Sequence, residues 1–444
     1  MALGFLEGGA IERIIHTMDV YEGNAVLLRM CIGTLCPLIN TGPDAILALE
    51  AAGAPARITG AMARHEPAEA LQATGCEAIS RLAIGRDPRV RGLRVVLAEA
   101  GAPELVTNAM RMHPNSAEVQ ERACLALNNL AVDAANQVAL AAAGALDRVV
   151  IAMESHRGDK FVLQNACSAI TILARSEQNK TALAADPRAL QSIFDAMTQH
   201  PNDAEVQKTG CTALMALAAN SAENQRMLAG AGAIERILCA MRLHASANHL
   251  DFTVQRAACH ALWNLAASDV NKKLLAREGA HELLLAALAR FAHADTAEGE
   301  EWGETIGDED YDDPRLGARR ILLLLAESEG AIVGHPWPVV LDYLRIIRLS
   351  LNVDAFAVNA TARISGLLGA IPIPYLVAHV AVLSFGSELV PAEGWASKVG
   401  LEQAQSSLSS RGEAAVCARL MDQLMATRGA LKGQQQQQQQ QQQQ

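Results

Sequence analysis

Aromatic side chains are scarce in this chain: Phe, Tyr and Trp make up 3% of 444 residues, whereas all hydrophobic types make up 50%. Strands are rich in aromatic residues, but the apolar content here is mostly Ala, Leu, Ile and Val, of which Ala and Leu favour helices. The chain is too long for one ordinary core, although a repeat array escapes that limit because each unit packs only on its neighbours. The composition predicts an all-α protein, either one large helical domain or a repeat array.

A basic surface is also lacking. The net charge is -11, and residues 294–313 contain ten carboxylates and no Lys or Arg, so the remainder is nearly neutral. A nucleic-acid-binding protein needs Lys and Arg to neutralise phosphates. We therefore predict no nucleic-acid partner. We interpret 294–313 as an acidic insertion. It is either a disordered loop, an acidic segment that binds a basic partner, or a self-inhibitory segment that covers a binding groove of the same chain.

Motifs of the common enzyme classes are absent. The chain has no Gly-x-x-x-x-Gly-Lys, His-Glu-x-x-His or Gly-x-Ser-x-Gly sequence, so no phosphate loop, zinc-protease helix or nucleophile elbow is predicted. Asp308, Asp310 and Asp312 open like a calcium loop, but Asp313 stands where that loop needs Gly, and Arg319 where it needs Glu. We predict a non-catalytic protein without a cofactor or a metal.

Cys-x-x-Cys pairs and an N-terminal signal peptide are missing as well. Nine cysteines, an odd number, then favour a reducing compartment, the cytoplasm or the nucleus. The glycosylation sequons at Asn179 and Asn359 are in that case chance matches.

What the chain does contain is an internal repeat. Six cysteines lie 43–48 residues apart, and a Gly-Ala pair and a Met recur with the same period. One Gly-Ala pair is missing, and Arg188 occupies its position. The series are Cys31, Cys76, Cys124, Cys167, Cys211 and Cys259; Gly9, Gly53, Gly101, Gly144, Gly232 and Gly279; and Met18, Met62, Met110, Met153, Met197 and Met241, with Leu288 last. Such a period predicts stacked helical units.

Each unit reads as three helices. In residues 117–156, apolar residues at helical spacing predict a long helix. Asn136 opens a short helix and caps its backbone amides, and Gly144 ends that helix. A further helix runs from about Ala145 to His156. We call the repeating cysteines, glycines and methionines the register residues. The register cysteines fall on the apolar side of the long helix, and we predict that they pack in the core.

A histidine follows each of five register methionines by three residues: His65, His113, His156, His200 and His244. Successive histidines are ~10 Å apart by helix-packing distances, too far apart to share a zinc ion. We predict that each ring interacts with the negative end of its own helix, with proton sensing as the alternative.

Two segments resemble armadillo repeats: VQERACLALNNLAVDAANQVALAAAGALDRVVIAM (119–153) and VQRAACHALWNLAASDVNKKLLAREGAHELLLAAL (254–288). The resemblance covers roughly 1–293, with a degenerate last helix near 315–327. The Met-then-His ending is similar to the armadillo region of leucine-rich repeat kinases. The resemblance implies an all-α, right-handed superhelical solenoid of about seven three-helix repeats. It also implies that the long helices line a concave groove that binds a protein.

In armadillo proteins an Asn on each long helix often binds the backbone of an extended peptide, with a Trp nearby. The Asn slot here holds Arg81, Asn129, Ile172, Ala216 and Asn264, and the Trp slot holds Glu77, Leu125, Ser168, Thr212 and His260. Two Asn slots match and no Trp slot does. The resemblance therefore implies a ligand other than an importin-type localisation peptide, or no groove ligand.

We predict a partner-binding groove from polar and aromatic residues that the long helices expose: Arg81, Glu121, Asn128, Asn129, Lys208, Arg256, His260, Trp263 and Asn264. Asn suits an extended backbone, and Trp is typical of interface hot spots. The partner is then a protein or an extended peptide segment, held by a non-catalytic scaffold. The alternatives are an ordinary solvated face, and a structural subunit of a cytoskeletal or ciliary assembly.

The predicted domains are the solenoid with its insertion at 1–327, an irregular helical region at 328–433 and a disordered polyglutamine tail at 434–444. Residues 364–387 carry no charge and are long enough to span a membrane, but Pro372, Pro374 and three glycines disfavour a span. A helical cap or a poorly specified tail is favoured there.

Overall fold

The computed structural model describes residues 9–84, 92–246, 249–280, 283–284 and 287. Described residues up to 274 belong to one compact unit, and those from 275 onward belong to a second. The helices of the described ranges, in chain order, are α1 (Ala10–Val20), α2 (Ala25–Ile39), α3 (Pro43–Ala51), α4 (Ala54–Arg64), α5 (Glu69–Ala83), α6 (Leu93–Glu99), α7 (Ala102–Met112), α8 (Ala117–Leu130), α9 (Ala134–Ala142), α10 (Ala145–Ser155), α11 (Lys160–Leu173), α12 (Glu177–Ala185), α13 (Pro187–Gln199), α14 (Ala204–Ala218), α15 (Ala222–Gly230), α16 (Ala233–Leu243), α17 (His249–Leu265) and α18 (Asp269–Arg277).

These helices recur in the order short, medium and long. The long helices are α2, α5, α8, α11, α14 and α17, and each contacts the next long helix along the chain. The medium helices α1, α4, α7, α10, α13 and α16 contact one another in the same way. The described ranges contain no strand. The predicted all-α solenoid of three-helix repeats is confirmed.

Several predictions concern residues outside the described ranges. The acidic insertion, the uncharged stretch 364–387, the region 328–433 and the polyglutamine tail all lie there, so the proposed boundaries at 327 and 433 stay predictions. Within the described ranges, every helix is too short or too polar to cross a membrane.

The register cysteines lie in the core between long helices, as predicted. Cys76, Cys124, Cys167, Cys211 and Cys259 are all 0% exposed. Burial raises the pKa of the Cys76 and Cys167 thiols to about 12, so both stay protonated at neutral pH. These cysteines therefore act as small apolar packing groups. The register methionines are buried as well.

The recurring glycine marks the turn between the short and medium helices. Gly53 and Gly101 have φ of 75° and 80°, the left-handed region that an L-residue enters only at a cost. The irregular repeat at Arg188 avoids this turn because Asp186 caps α13 directly, accepting from the Arg188 amide.

The histidines lie where they are predicted, one residue past the medium helix, but the predicted partner is wrong. Each Nε2 lies 2.8–3.0 Å from a backbone carbonyl 42–47 residues earlier in the chain. A carbonyl only accepts, so each ring donates, and it donates to the preceding repeat rather than to its own helix. The acceptors of His65, His113, His156, His200 and His244 are Glu22, Glu66, Pro114, Arg157 and Pro201.

A glutamine ladder, which the sequence analysis missed, completes the ends of the medium helices. Gln72, Gln120, Gln207 and Gln255 are buried. Gln120 Nε2 donates to the carbonyls of Met110 and His113 at 2.9 Å each. The other three glutamines do the same at their own register Met and His. Each glutamine precedes its register cysteine by four residues, a spacing visible in the sequence.

The prediction that Asn136 caps the short helix is wrong. Asp133 is the cap, accepting from the amides of Ala135 and Asn136. Asn136 is buried, and its side chain instead donates to the carbonyls of Leu130 and Arg94, at 3.1 and 3.2 Å. Asparagines in this slot therefore join a short helix to the preceding long helix or to the preceding short helix. Asn179, Asn224 and Asn271 make corresponding contacts.

Candidate partner-binding surface

The long helices leave one face uncovered by the medium helices. Residues on this face recur at matching distances from the register cysteines, and all of them are half-buried. We call it the long-helix face and define it by Glu77, Arg81, Glu121, Arg122, Leu125, Asn128, Ser168, Ile172, Lys208, Thr212, Arg256, His260 and Trp263. The structure thus places seven of the nine predicted groove residues on one face.

Asn129 and Asn264 are the two that are not in this set, and the predicted exposure of Asn129 is wrong. The residue is 6% exposed, and its amide donates to the Ser80 carbonyl at 3.1 Å and to the Ser80 hydroxyl at 2.9 Å. Asn264 is half-buried, and its amide donates to the carbonyl of Met215 at 3.0 Å. Both Asn slots that match the armadillo pattern therefore bind the preceding long helix with their amide nitrogen.

The first part of the face is closed by an ion-pair network. Glu77 accepts from Arg81 at 2.7 Å and also from Arg122, which comes from the next repeat. Arg122 also pairs with Glu118 at 3.2 Å. The Nε of Arg122 is buried and has no hydrogen-bond acceptor, the one such side-chain atom in the described ranges. This network links α5 to α8, and in it the charges of Arg81 and Glu77 are paired with each other.

Glu121 differs from its charged neighbours because it has no ion pair or side-chain hydrogen bond in the described ranges. Burial raises the pKa of this carboxyl, partly offset by the nearby Arg122 guanidinium. Asp159 and Glu118 raise the pKa further. Because burial disfavours the charged form of this carboxyl, a cation from a partner would stabilise that form.

Phe161 is an exposed aromatic ring that the sequence analysis missed. The residue, at the first turn of α11, is 50% exposed, and the Lys160 ammonium lies 5.3 Å from the centroid of its ring. Lys160 in turn pairs with Asp203 of the next repeat at 3.0 Å. Phe161 precedes Cys167 by the same six residues that separate Glu118 from Cys124. The register therefore places it beside Glu118, and this spacing was a usable signal.

The remaining predicted residues lie further along the face. Lys208 pairs with Glu205 within α14. Asn128 donates to the Asn129 side chain at 3.1 Å. Arg256, His260 and Trp263 project from α17, and each already has an interaction within the chain. Nowhere in the described ranges do three or more His, Cys, Asp or Glu residues gather as a metal site would require.

A family model described as LRRK2 ARM repeat matches residues 100–298. The resemblance to armadillo repeats is confirmed. The match includes every predicted groove residue except Arg81. No curated protein matches the chain.

The chain is also similar to solved structures. An engineered protein is 22% identical, with a TM-score of 0.50, and the match covers 58% of this chain and 99% of that protein. A designed armadillo repeat protein in complex with a (KR)4 peptide is 23% identical, with a TM-score of 0.48, over 57% of this chain and 99% of that one. At these identities the likeness to the engineered protein shows the fold alone. The armadillo fold is typical of protein-binding scaffolds.

Proposed function

We propose that this chain is a non-catalytic scaffold that binds a protein partner, through an extended segment, on the long-helix face. The observation that carries the proposal is the contrast on the long helices between polar groups with hydrogen-bond partners and residues without them. Hydrogen bonds to neighbouring helices satisfy the buried polar ladders, whereas Glu121 has no ion pair or side-chain hydrogen bond among the described residues and Phe161 is half-exposed. A half-exposed aromatic residue and a half-buried carboxylate without an ion pair in the described ranges are typical of a binding hot spot rather than of a packing surface.

These two residues also indicate the chemistry of the partner. An aromatic ring and a carboxylate together favour a Lys or Arg side chain, through cation–π attraction and ion pairing. Lys208 and Arg256 occupy the same register slot as Glu121, further along the face. The face is therefore mixed in charge, and we expect binding with only modest salt dependence.

The test is site-specific photo-crosslinking inside living cells. We expect the protein in the cytoplasm or the nucleus, because its buried cysteines are free thiols. A crosslinker at Leu125 or Thr212 should trap a partner, and one at Gln191 or Arg236, exposed on medium helices, should not. Equal trapping at all four positions would contradict the proposal.

Affinity for the trapped partner, once purified, provides the quantitative test. Phe161→Ala should weaken binding by about tenfold, as truncation of a hot-spot residue does. Glu121→Gln should weaken binding without lowering stability, because burial disfavours the ionised form that it removes. Loss of binding only together with loss of helical circular dichroism would mean that the face is structural.

A structural subunit remains the second candidate, and one observation favours it. Val26 and Met30 on α2, the first long helix of the described ranges, are exposed, whereas Thr74, Arg122 and Thr209, which lie as far into their own long helices as Met30 does, are half-buried. A docked neighbour would cover Val26 and Met30. Sedimentation velocity separates the two functions, since a structural subunit self-associates and Val26→Ser with Met30→Ser would then reduce self-association.

A further inference from the structure

A second surface lies where the short helices α6 and α9 meet the C-terminal ends of α5 and α8. Four branched aliphatic side chains are exposed there: Ile84 (57%), Val95 (44%), Val132 (42%) and Val138 (59%). We call these four residues the edge patch. Single exposed aliphatic residues are common on protein surfaces, but a contiguous group of them marks an interaction site.

Hydrogen bonds made by the residues just before them bring the backbone segments of the edge patch together. Arg94 Nε donates to the carbonyl of Ala83 at 2.8 Å, and Asn136 Nδ2 donates to the carbonyl of Arg94 at 3.2 Å. Gln137 Nε2 donates to the carbonyl of Ala131 at 2.9 Å. Each residue of the edge patch directly follows one of Ala83, Arg94, Ala131 and Gln137 in the chain. Their backbones are therefore joined through this network.

The edge patch consists of two rows, each advancing by one repeat. Ile84 and Val132 each follow their register cysteine by eight residues, and Val95 and Val138 each precede their register glycine by six. Since α6 contacts α9 and α5 contacts α8, equivalent residues are ~10 Å apart. The row of Ile84 and Val132 continues to Arg175, which is exposed and has no side-chain partner in the described ranges.

The size and charge of this surface select its occupant. Four such side chains expose roughly a few hundred Å², well below the ~800 Å² per partner of a stable dimer interface. An α-helix rises ~1.5 Å per residue, so side chains seven residues apart on one face are ~10 Å apart, as the rows are. An unpaired guanidinium one step further favours a carboxylate at the matching position.

We propose that the edge patch binds an amphipathic helix of a protein partner. Apolar side chains at i and i+7 of that helix lie over Ile84 and Val132, and an Asp or Glu at i+14 pairs with Arg175. Val95 and Val138 contact the same helix from the side of the short helices. This proposal is independent of the long-helix face, because no residue is shared.

The probe is a fluorescein-labelled, Ala-rich helical peptide with Leu at i and i+7 and Glu at i+14, titrated with the full chain by fluorescence anisotropy. Val132→Ser should weaken binding about tenfold, since it removes one buried aliphatic side chain. Arg175→Glu should weaken binding of this peptide and strengthen binding of a peptide with Lys at i+14. Val20→Ser, at an exposed valine on α1 that lies outside the edge patch, should change nothing.

Several results would overturn the proposal. They are no saturable binding, equal effects of Val132→Ser and Val20→Ser, and no reversal of charge preference in Arg175→Glu. Self-association or phosphatidylcholine-vesicle binding that Val132→Ser abolishes would assign the edge patch to a second copy or to a lipid surface instead. All substituted side chains are exposed, so unchanged circular dichroism is expected and keeps these outcomes distinct from misfolding.

Discussion

The buried amide of Gln120 allows a sharp test of what holds a repeat together. The residue is 2% exposed, and it donates to the carbonyl of Met110 at 2.9 Å. In an uninterrupted helix that carbonyl would accept from the amide four residues on, but Pro114 has no N–H. Gln120→Leu keeps the side-chain volume nearly constant and orphans this buried carbonyl. An unsatisfied buried acceptor costs about 1–3 kcal/mol.

We expect Gln120→Leu to lower the free energy of unfolding by about 2 kcal/mol. The high end of the range is disfavoured because Leu163 occupies the same slot in the next repeat, where α10 and α11 still pack together. Urea unfolding followed by circular dichroism measures the change, with the slope checked for lost cooperativity. The matched control is Gln191→Leu, whose amide is exposed and donates to Asp195, and it should stay within about 0.5 kcal/mol of wild type. Equal shifts in both variants would refute the reasoning.

Two further predictions concern packing and pH. A Cβ added at Gly75 would lie 2.6 Å from Cγ of the buried Met62, so Gly75→Ala should lower the free energy of unfolding by about 1–3 kcal/mol. A Cβ added at Gly60 meets nothing within 4 Å, so Gly60→Ala should raise the free energy of unfolding by about 0.5–1 kcal/mol. Thermal melting of both variants checks this, and a gain at both sites would contradict the predicted clash. The hydrogen bond from Arg188 holds the pKa of Asp147 below its ordinary value. The pair therefore stabilises the folded state at pH values above the ordinary pKa, and this contribution is lost as the pH falls through the pKa of the folded state. Urea midpoints measured between about pH 5 and 3 should therefore fall less steeply for Asp147→Asn than for wild type, and parallel curves would show that this pair contributes nothing.

The repeat could be predicted from the sequence because apolar residues decide it. Cys124 lies where a small residue is needed, Met110 where a flexible side chain packs well, and Gly144 where the backbone has a positive φ. The period of these residues is therefore visible in the sequence alone. Helix order and core membership follow from the same spacing. These parts of the prediction are confirmed.

Polar contacts between repeats could not be predicted in the same way. The sequence marks Asn136 and His113 as recurrent, but it does not show whether a side chain bonds its own helix or the neighbouring one. Local capping was the simpler expectation, and packing overrides it at both residues. For the same reason Asn129 was expected on the exposed face, although its amide is buried against Ser80.

Phe161 was missed for a different reason. Phe161 lies in a slot that none of the predicted groove residues occupies, beside a lysine that makes the segment look merely polar. The exposure of a side chain depends on the residues that pack around it and is not visible in the sequence. The same position holds Glu118 in one repeat and Glu205 in another. An aromatic residue in that slot becomes informative only once the register is applied to every position.

The histidine and asparagine ladders have a consequence for how the gene can change in length. Each donor and each acceptor recurs in the same slot, so a deletion of residues 102–144 would place Ala145 after Gly101. His156 would then face the carbonyl of Glu66, which His113 had used, and Asn179 would face the carbonyl of Arg94, which Asn136 had used. A deletion of half that length would leave donors and acceptors facing the wrong helices. Natural splice variants and insertions of this protein should therefore differ by whole repeats.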